Sequence, residues 1–431
     1  MSFLGAGRAA QSAIFSRGVA GLKPKVPTSP RALEEAACKA MGAKARAYVV
    51  GSAGAENSAN ANRTSLDRVE ILPRMLRETT ARDMSTTVLG QHLEAPVLVA
   101  PVGAAGLVRR HSDVAIGEAA AKVGVPYILS SQGSDPMEEV AAAMGAGPRW
   151  FQLYWSKDTE LVRSFVRRAE SAGAGAIVLT VDTTLLGWRP RDLDLGSLPF
   201  ARGIGIAQYT TDPRFEELVA ERLAAPPENS DAQADPPPTP AAVRTLLDIC
   251  RNHPGDFLDN LRSPVPRAAV QTFLDVYSNP ALSWEHVEQL RGMTSLPVVI
   301  KGILTPADAK RAFAVGADAV MVSNHGGRQV DGTIGALDAL REIRGAVSRT
   351  DTLLFDSGVR GGADVFKAIA CGADAVTIGR PSIYGLAIDG RRGVEAVLRN
   401  IIAEFDLTMA LAGVRSLAEI DASTVRTREA L

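Results

Sequence analysis

The segment 323–329, which reads SNHGGRQ, brings together two side chains that could act on one small acid. It follows the apolar run 319–322, whose length and composition are typical of a buried parallel strand. The imidazole of His325 could take a proton near neutral pH, and the guanidinium of Arg328 could hold a carboxylate through two hydrogen bonds. The pair indicates an enzyme that removes a proton from a small carboxylic acid. An isolated His-x-x-Arg would more often be a loop histidine beside a surface arginine, so the interpretation depends on the setting.

Short apolar runs that end in a polar residue or a glycine recur along the chain and predict eight strands. They lie at 96–101, 126–131, 150–154, 176–182, 297–302, 319–324, 352–357 and 375–380. Segments with helical periodicity lie between them, at 113–122, 159–172, 306–315 and 362–370. Eight strands that alternate with helices predict a (β/α)8 TIM barrel. A doubly wound open sheet would also alternate, but no glycine fingerprint follows the first strand.

The residues at the strand ends favour a barrel because a barrel would bring them all to one mouth. In chain order they are Gly103, Ser130, Gln152, Tyr154, Thr180, Asp182, Lys301, His325, Arg328, Asp356, Arg360, Gly379 and Arg380. The carboxyl-terminal mouth is where barrel enzymes place their chemistry. Helix capping explains one or two such residues, but it explains eight strand ends poorly.

The last two strand ends combine glycines with arginines, in DSGVRGG at 356–362 and IGR at 378–380. Glycines let backbone amides face an anion, and barrels frequently bind a phosphate at this corner. A phosphorylated cofactor lying across the mouth would reach Lys301, which could stabilise negative charge gained on reduction. The residues alone leave two alternatives open. Lys301 could pair with a carboxylate, or it could form a Schiff base in a phosphosugar isomerase or aldolase.

The composition is that of an ordinary globular protein, with a net charge of −1, 46% hydrophobic and 22% charged residues. This balance gives no reason to expect nucleic acid or a membrane surface as a partner, and no segment has the length and apolarity of a transmembrane helix. Cys38, Cys250 and Cys371 are far apart, which predicts neither a disulfide framework nor a metal site and suggests a reducing, cytoplasmic location. The basic segment 1–30 resembles a transit peptide in composition, but its glycines favour a loosely ordered N-terminal arm.

We expect one domain over 1–431, with an N-terminal helical cap at 30–90 and a C-terminal helix and tail at 395–431. The interval 193–283, after the fourth strand, is too long for a barrel crossover. It contains two prolines at 226–227, acidic residues between 231 and 235, and three prolines at 236–238. These features predict a flexible, partly disordered insertion on the mouth side. A lid over the site and a solvated linker are equally supported.

Six motifs resemble those of the FMN-dependent α-hydroxy-acid oxidising family. They are SNHGGRQ at 323–329, LTVDT at 179–183, FQLY at 151–154, IKG at 300–302, FDSGVRGGADVFKAIACGADAVTIGRP at 355–381 and EFDLTMALAG at 404–413. The resemblance runs from about residue 45 to 420, apart from the insertion. Within the family, LGWRPRDLDL at 186–195, the following LPFARG and the long insertion are most similar to the lactate 2-monooxygenase branch.

The resemblance implies a bound FMN and assigns roles to particular residues. His325 would take the hydroxyl proton as a hydride passes to the flavin, and Asp182 would pair with it. Two arginines, Arg328 and Arg189, would clamp the substrate carboxylate, and two tyrosines, Tyr154 and Tyr48, would hydrogen-bond its oxygens. The residues that would hold FMN are Pro101, Val102, Gly103, Ser130, Gln152, Thr180, Lys301, Ser323, Asp356, Ser357, Gly358, Arg360, Gly379 and Arg380.

The chain departs from the family pattern at two places. Most relatives have two adjacent tyrosines before a glycine, whereas this chain reads Tyr48-Val49-Val50-Gly51, so Tyr48 or Val50 could take the tyrosine's place. The monooxygenase-like spacing favours Tyr48. The second departure is Gly103, where many oxidases have alanine. The missing methyl group would leave room beside the flavin for oxygen or its reduced product.

The resemblance therefore predicts oxidation of a small L-2-hydroxy acid, lactate first, with O2 and decarboxylation to acetate and CO2. The alternatives are an oxidase that releases the 2-keto acid and hydrogen peroxide, and a dehydrogenase with another electron acceptor. A flavoprotein that binds FMN without catalysing oxidation is a further class. A homo-oligomer, either a tetramer or an octamer, is expected.

Overall fold

The computed structural model describes residues 5–225 and 239–428, and its centre is a closed barrel of eight parallel strands. The strands are β1 (Val97–Val99), β2 (Tyr127–Ser130), β3 (Arg149–Leu153), β4 (Ile177–Thr180), β5 (Val298–Ile303), β6 (Ala319–Val322), β7 (Thr352–Phe355) and β8 (Ala375–Ile378). Each strand pairs in parallel with the next, and β8 pairs with β1, where Val376 lies opposite Val97. Every predicted apolar run overlaps one of these strands, and the predicted (β/α)8 fold is confirmed.

The barrel closes because its strands are apolar on both faces. Alternate residues such as Leu98, Trp150 and Met321 fill the interior, while their chain neighbours pack against the outer helices. A two-stranded hairpin, 86–88 with 91–93, covers the amino-terminal end of the barrel, where Gln91 accepts a 2.7 Å hydrogen bond from the Trp150 indole. The opposite, carboxyl-terminal mouth is therefore the end that is open to a ligand.

Eight helices surround the strands. They are α5 (Ser112–Val123), α6 (Met137–Met144), α7 (Thr159–Ser171), α14 (Trp284–Arg291), α15 (Pro306–Ala314), α16 (Ala336–Ala346), α17 (Gly362–Ala370) and α18 (Arg380–Ala412), with α18 kinked at Asp389 and Gly390. Short 3-10 turns occur at Ala105–Leu107, Pro199–Arg202, His325–Gly327, Leu417–Glu419 and Ala422–Thr424. Within the described ranges, none of the helices is long and apolar enough to cross a membrane.

Four helices precede the barrel, namely α1 (Gly5–Val19), α2 (Pro30–Ala40), α3 (Ala43–Val50) and α4 (Asn57–Asp67). The prediction of a loosely ordered arm is wrong for residues 5–19, which form a helix against α18. Gly7 allows this helix to pack closely against α18, because a Cβ at that position would lie 2.4 Å from Leu407 Cγ. The Gly7 amide also donates to Asp406 Oδ2 at 2.8 Å. The glycine that argued against a helix instead permits its close packing. A short strand, Val69–Ile71, pairs with Val425–Thr427 and joins the cap to the tail.

Much of the described part of the insertion is helical, so the prediction of a flexible excursion is wrong for those helical residues. Its helices are α8 (Pro190–Leu193), α9 (Ala207–Thr210), α10 (Pro213–Ala224), α11 (Pro240–Asn252), α12 (Phe257–Arg262) and α13 (Val265–Val276). Tyr209 and Phe273 are fully buried, with ring centroids 4.7 Å apart. The proline-rich and acidic features that suggested flexibility lie at 226–238, outside the described residues. The flanking sequences carry their own apolar faces and fold as helices.

Candidate active site

A cavity with an empty volume of about 1000 Å³, part of it open to solvent, lies at the carboxyl-terminal mouth. The predicted site residues that line it are Tyr48, Pro101, Val102, Gly103, Tyr154, Arg189, Lys301, His325, Arg328, Asp356, Ser357, Gly358, Arg360, Gly379 and Arg380. The other five, Ser130, Gln152, Thr180, Asp182 and Ser323, lie behind this lining. The barrel brings most of the predicted residues together because its strands end at the same mouth, whereas Tyr48 reaches the cavity from α3, which precedes the barrel.

His325 is held by groups that follow β4 and β6. Its backbone adopts a left-handed conformation with φ of +58°, and its amide donates to Ser323 Oγ at 3.0 Å. Its Nδ1 lies 2.8 Å from Asp182 Oδ1 and 3.3 Å from Thr183 Oγ1. Because Nδ1 is engaged with the carboxylate, Nε2 is the nitrogen left to accept a proton.

The charges of this pair suit a base and its orienting carboxylate. Burial lowers the pKa of His325, and the nearby Lys301 lowers it further, although Asp182 opposes the change. The histidine is therefore neutral at pH 7. Burial alone would raise the pKa of Asp182, but the positive charge that His325 carries at low pH, together with that of Lys301, outweighs burial and holds that pKa at about 2. Asp182 is thus ionised and can stabilise a positive charge formed on His325.

Arg328 and Arg189 place two positive charges in the same cavity. Arg328 Nη1 donates to the carbonyl of Gly51 at 2.6 Å, and Arg189 Nη2 donates to Gln329 Oε1 at 2.8 Å. Burial, with the charge of Arg189, lowers the pKa of Arg328 to about 9, so it stays protonated at neutral pH. Neither arginine forms a salt bridge with another described residue. Two cations that form no salt bridge with a described residue are suited to bind a carboxylate.

Tyr48 and Val50, the two candidates for the tyrosine position, lie in different places in the structure. Tyr48 lines the cavity, and its ring centroid lies 4.8 Å from the guanidinium carbon of Arg328. Val50 does not line this cavity. Tyr154 also lines the cavity; burial raises its pKa, and the negative charge of Asp182 adds to the effect. Tyr154 therefore stays protonated and can donate a hydrogen bond.

Lys301, at the middle of β5, belongs to a buried polar chain. Its Nζ donates to Ser323 Oγ at 3.0 Å and lies 3.4 Å from Asp356 Oδ2, and the side chain is only 4% exposed. Ser323 Oγ donates to the same carboxylate at 2.5 Å, and Thr377 Oγ1 donates to its other oxygen at 2.8 Å. Burial opposes ionisation of Asp356, but Lys301 lowers its pKa. An amine held beside an ionised carboxylate is a poor nucleophile, which disfavours the Schiff-base alternative.

The residues of the cavity fit FMN. Gln152 Nε2 and Thr180 Oγ1 are buried at the ends of β3 and β4 without a hydrogen-bond partner in the described structure, as expected of groups that serve a polar ligand edge. Arg360 and Arg380 form no salt bridge with any described residue, and burial lowers the pKa of Arg380 to about 10, so it remains a cation. These groups would hold the ring edge and the phosphate, and Lys301 would lie near the ring.

Several lining residues were not predicted, among them Gln132, Thr183, Leu186, Tyr277 and Thr377. Thr183 could have been found from its place beside Asp182 in the LTVDT motif, and its hydroxyl donates to Asp182 Oδ1 at 2.8 Å. Tyr277 could not be predicted from the sequence, because the insertion carries no recognisable motif. The room expected beside Gly103 is not empty, because a Cβ there would lie 2.9 Å from Gln132 Cβ.

Comparisons with known proteins agree with this geometry. A model of the FMN-dependent dehydrogenase family matches residues 37–427. An FMN-dependent alpha-hydroxy acid dehydrogenase, qulF of Penicillium citrinum, is 38% identical over 403 residues, which cover 94% of this chain and 91% of the relative. An L-lactate oxidase of Lysinibacillus sphaericus is 39% identical over 385 residues, 89% of each chain. The crystal structure of mandelate oxidase with (S)-2-phenylpropionate superposes with a TM-score of 0.74 at 34% identity, covering 94% of this chain and 99% of the other.

Proposed function

Because the chain belongs to the FMN-dependent dehydrogenase family, we propose that it oxidises a small L-2-hydroxy acid, with lactate as the representative, and decarboxylates the product. The coarser activity, FMN-dependent α-hydroxy-acid oxidation, is common to the chain and its relatives. One observation carries the substrate class. A neutral histidine oriented by an ionised aspartate shares a cavity with two cationic arginines that form no salt bridge with a described residue.

The side chains divide the chemistry between binding and proton transfer. Arg189 and Arg328 bind the substrate carboxylate, and Tyr154 donates a hydrogen bond to a substrate oxygen. His325 accepts the proton of the 2-hydroxyl group, and Asp182 stabilises the resulting imidazolium. When bound, FMN supplies the two-electron acceptor for the hydride that leaves C2. Loss of the proton and the hydride converts the hydroxy acid into a 2-keto acid.

The fate of that keto acid is the finer part of the proposal. If it is retained, hydrogen peroxide formed from O2 can attack its carbonyl, so that lactate and O2 yield acetate, CO2 and water. Retention requires slow product release, which a cover over the mouth provides. The insertion supports this outcome because it packs against mouth loops, where the Ala207 amide donates to the Gly133 carbonyl at 3.1 Å. Its residue Tyr277 lines the cavity itself.

A second candidate is an oxidase that releases the keto acid and hydrogen peroxide. The contact between Gly103 and Gln132 favours it, because that contact fills the space expected to retain oxygen or peroxide. The L-lactate oxidase among the relatives points the same way. A dehydrogenase would differ from both, since its reduced form would react slowly with O2.

Product analysis separates these candidates. Anaerobic L-lactate is expected to bleach the flavin, and uniformly ¹³C-labelled L-lactate in air is expected to give acetate and CO2. Catalase must be present, because free peroxide decarboxylates pyruvate in solution and would imitate the enzyme. Pyruvate accumulating with catalase present would refute the monooxygenase and leave the oxidase. His325→Gln is the control, expected to keep FMN and lose reduction.

We also propose a cytoplasmic homo-oligomer, either a tetramer or an octamer. Exposed apolar side chains on the loop after β4 support association, among them Trp188 at 71% exposure with Leu185 and Leu193 nearby in sequence. Light scattering after size-exclusion chromatography measures the assembly. A monomer at micromolar concentration would contradict it.

A further inference from the structure

Gln132 is a buried polar side chain that the mechanism above does not use. It lines the cavity and is only 7% exposed. Neither its amide oxygen nor its amide nitrogen forms a hydrogen bond with any residue in 5–225 or 239–428. A side-chain amide can donate two hydrogen bonds and accept two, so leaving all of them unmade inside a protein is costly. Such a group is expected to have a partner when the site is filled.

The backbone around Gln132 is fixed, so the side chain cannot readily turn away. Its amide donates to Ser130 Oγ at 3.1 Å, and its carbonyl accepts from the Ala104 amide at 2.8 Å. The insertion closes over the same carbonyl, because a Cβ on Gly205 would lie 3.0 Å from it. On the cavity side, a Cβ on Gly103 would lie 3.1 Å from Gln132 Oε1. Glycine at both positions makes room for Gln132.

Other residues already serve the groups common to every substrate and to the flavin. Gln152 and Thr180 offer unpartnered atoms to a ring edge, and Arg189 and Arg328 offer charge to a carboxylate. The reacting hydroxyl group has His325. What remains for the Gln132 amide is the part of the substrate that differs from one 2-hydroxy acid to another, which is its side chain.

We propose that Gln132 hydrogen-bonds a polar group on the substrate side chain, so that the preferred substrate is an L-2-hydroxy acid with a hydroxyl group on C3. A hydroxyl both donates and accepts, which matches an amide that presents an N–H and a carbonyl oxygen side by side. The inference rests on the proposed oxidation of L-2-hydroxy acids and names the class of substrate within it. Lactate is then a substrate that leaves this amide unpaired.

The physical consequence is discrimination between acids of equal size. A site built to bond a substrate hydroxyl rejects the analogue that lacks it, because the buried protein group is left unpaired in that complex. L-Glycerate and L-2-hydroxybutyrate form a suitable pair, since they have the same number of non-hydrogen atoms and differ only in a hydroxyl in place of a methyl group. We expect kcat/KM for L-glycerate to exceed that for L-2-hydroxybutyrate by about tenfold or more.

The test compares this ratio in the holoenzyme with the ratio in two variants. Gln132→Met replaces the amide with an apolar chain of similar length, and it is expected to bring the ratio to within about threefold of unity. Gln289→Met makes the same change on the exposed face of α14 and is expected to keep the wild-type ratio. Flavin reduction is followed anaerobically, and the FMN content and dissociation constant of each variant are measured alongside.

Three results would overturn the inference. The first is a wild-type enzyme that prefers neither acid or prefers L-2-hydroxybutyrate. The second is a preference for L-glycerate that survives in Gln132→Met. The third is weakened FMN binding in Gln132→Met with an unchanged preference, which would assign the amide to the flavin. Binding supplies a readout that does not depend on turnover. Flavin absorbance changes should show hydroxypyruvate binding about tenfold or more tighter than 2-oxobutyrate, and only in proteins with Gln132. If no 2-hydroxy acid bleaches the flavin, the proposed function fails, and the binding ratio still decides the role of Gln132.

Discussion

Replacing Asp182 with asparagine tests the link between the geometry of the base and the rate of oxidation. Asp182 Oδ1 lies 2.8 Å from His325 Nδ1, and the carboxylate is ionised because its pKa is about 2. The asparagine side chain would keep the shape but remove the negative charge that stabilises the imidazolium. A hydrogen bond to a charged group is worth about 1.5–3 kcal/mol. Since about 1.4 kcal/mol corresponds to tenfold in rate, Asp182→Asn should slow flavin reduction by roughly 10- to 100-fold.

The pH dependence of flavin reduction should change in a definite direction in Asp182→Asn. His325 must be neutral to accept a proton, so reduction by a 2-hydroxy acid rises with pH through the pKa of His325 and then reaches a plateau. The Asp182 charge raises that pKa, against the stronger effect of burial. Removing the charge lowers the pKa further. The acid limb of the Asp182→Asn profile should therefore move to lower pH while its plateau falls.

The assay is anaerobic stopped-flow reduction across the acid limb, with saturating substrate and equal FMN content in all proteins. Thr183→Val serves as the matched control, because it removes the 2.8 Å hydrogen bond from Thr183 Oγ1 to Asp182 Oδ1 and the 3.3 Å contact with His325 Nδ1 but keeps the charge of Asp182. It should slow reduction by less than about tenfold. A plateau within about threefold of wild type in Asp182→Asn, or an acid limb displaced to higher pH, would refute the assigned role.

Three other variants test separate parts of the structure. Arg328→Lys should weaken substrate binding by about 10- to 100-fold, measured from the substrate dependence of reduction, because lysine cannot hold the Gly51 carbonyl and a carboxylate together; unchanged affinity would contradict the clamp. Arg380→Met should weaken FMN binding to the apoprotein by at least about tenfold, measured by fluorescence titration. The substitution removes a cation that has no salt-bridge partner among the described residues, and it also removes the 2.9 Å hydrogen bond to Ser52 Oγ. Burial, together with the negative charge of Asp135, raises the pKa of Asp113 to about 6. Asp113 therefore binds its proton more tightly in the folded state than in the unfolded state, and the free energy of unfolding falls as pH rises from about 4 to 6. As pH rises through that window, the free energy of unfolding of Asp113→Asn, measured by urea unfolding, should increase by roughly 3 kcal/mol relative to that of the wild type. If the two proteins show the same pH dependence, the prediction is contradicted.

The sequence alone determined the barrel and most of its mouth. Strands in a closed parallel barrel are apolar on both faces, so runs such as 319–322 stand out as buried strands without any knowledge of their neighbours. Parallel strands in one barrel also end at one mouth, so the residues after each run are brought together by topology alone. His325, Asp182 and Lys301 could be assigned to one site for that reason.

Tertiary structure decided what depends on contacts between distant segments. Gly7 becomes part of a helix because α18 offers a surface close enough to need a glycine. Tyr48 takes the cavity position because α3 packs against the loop that carries Arg328. Gln132 fits into the cavity lining because Gly103 and Gly205, which are distant from it in sequence, leave it space. Periodicity along the chain records which faces are buried, whereas the identity of the buried neighbour is set by packing in three dimensions.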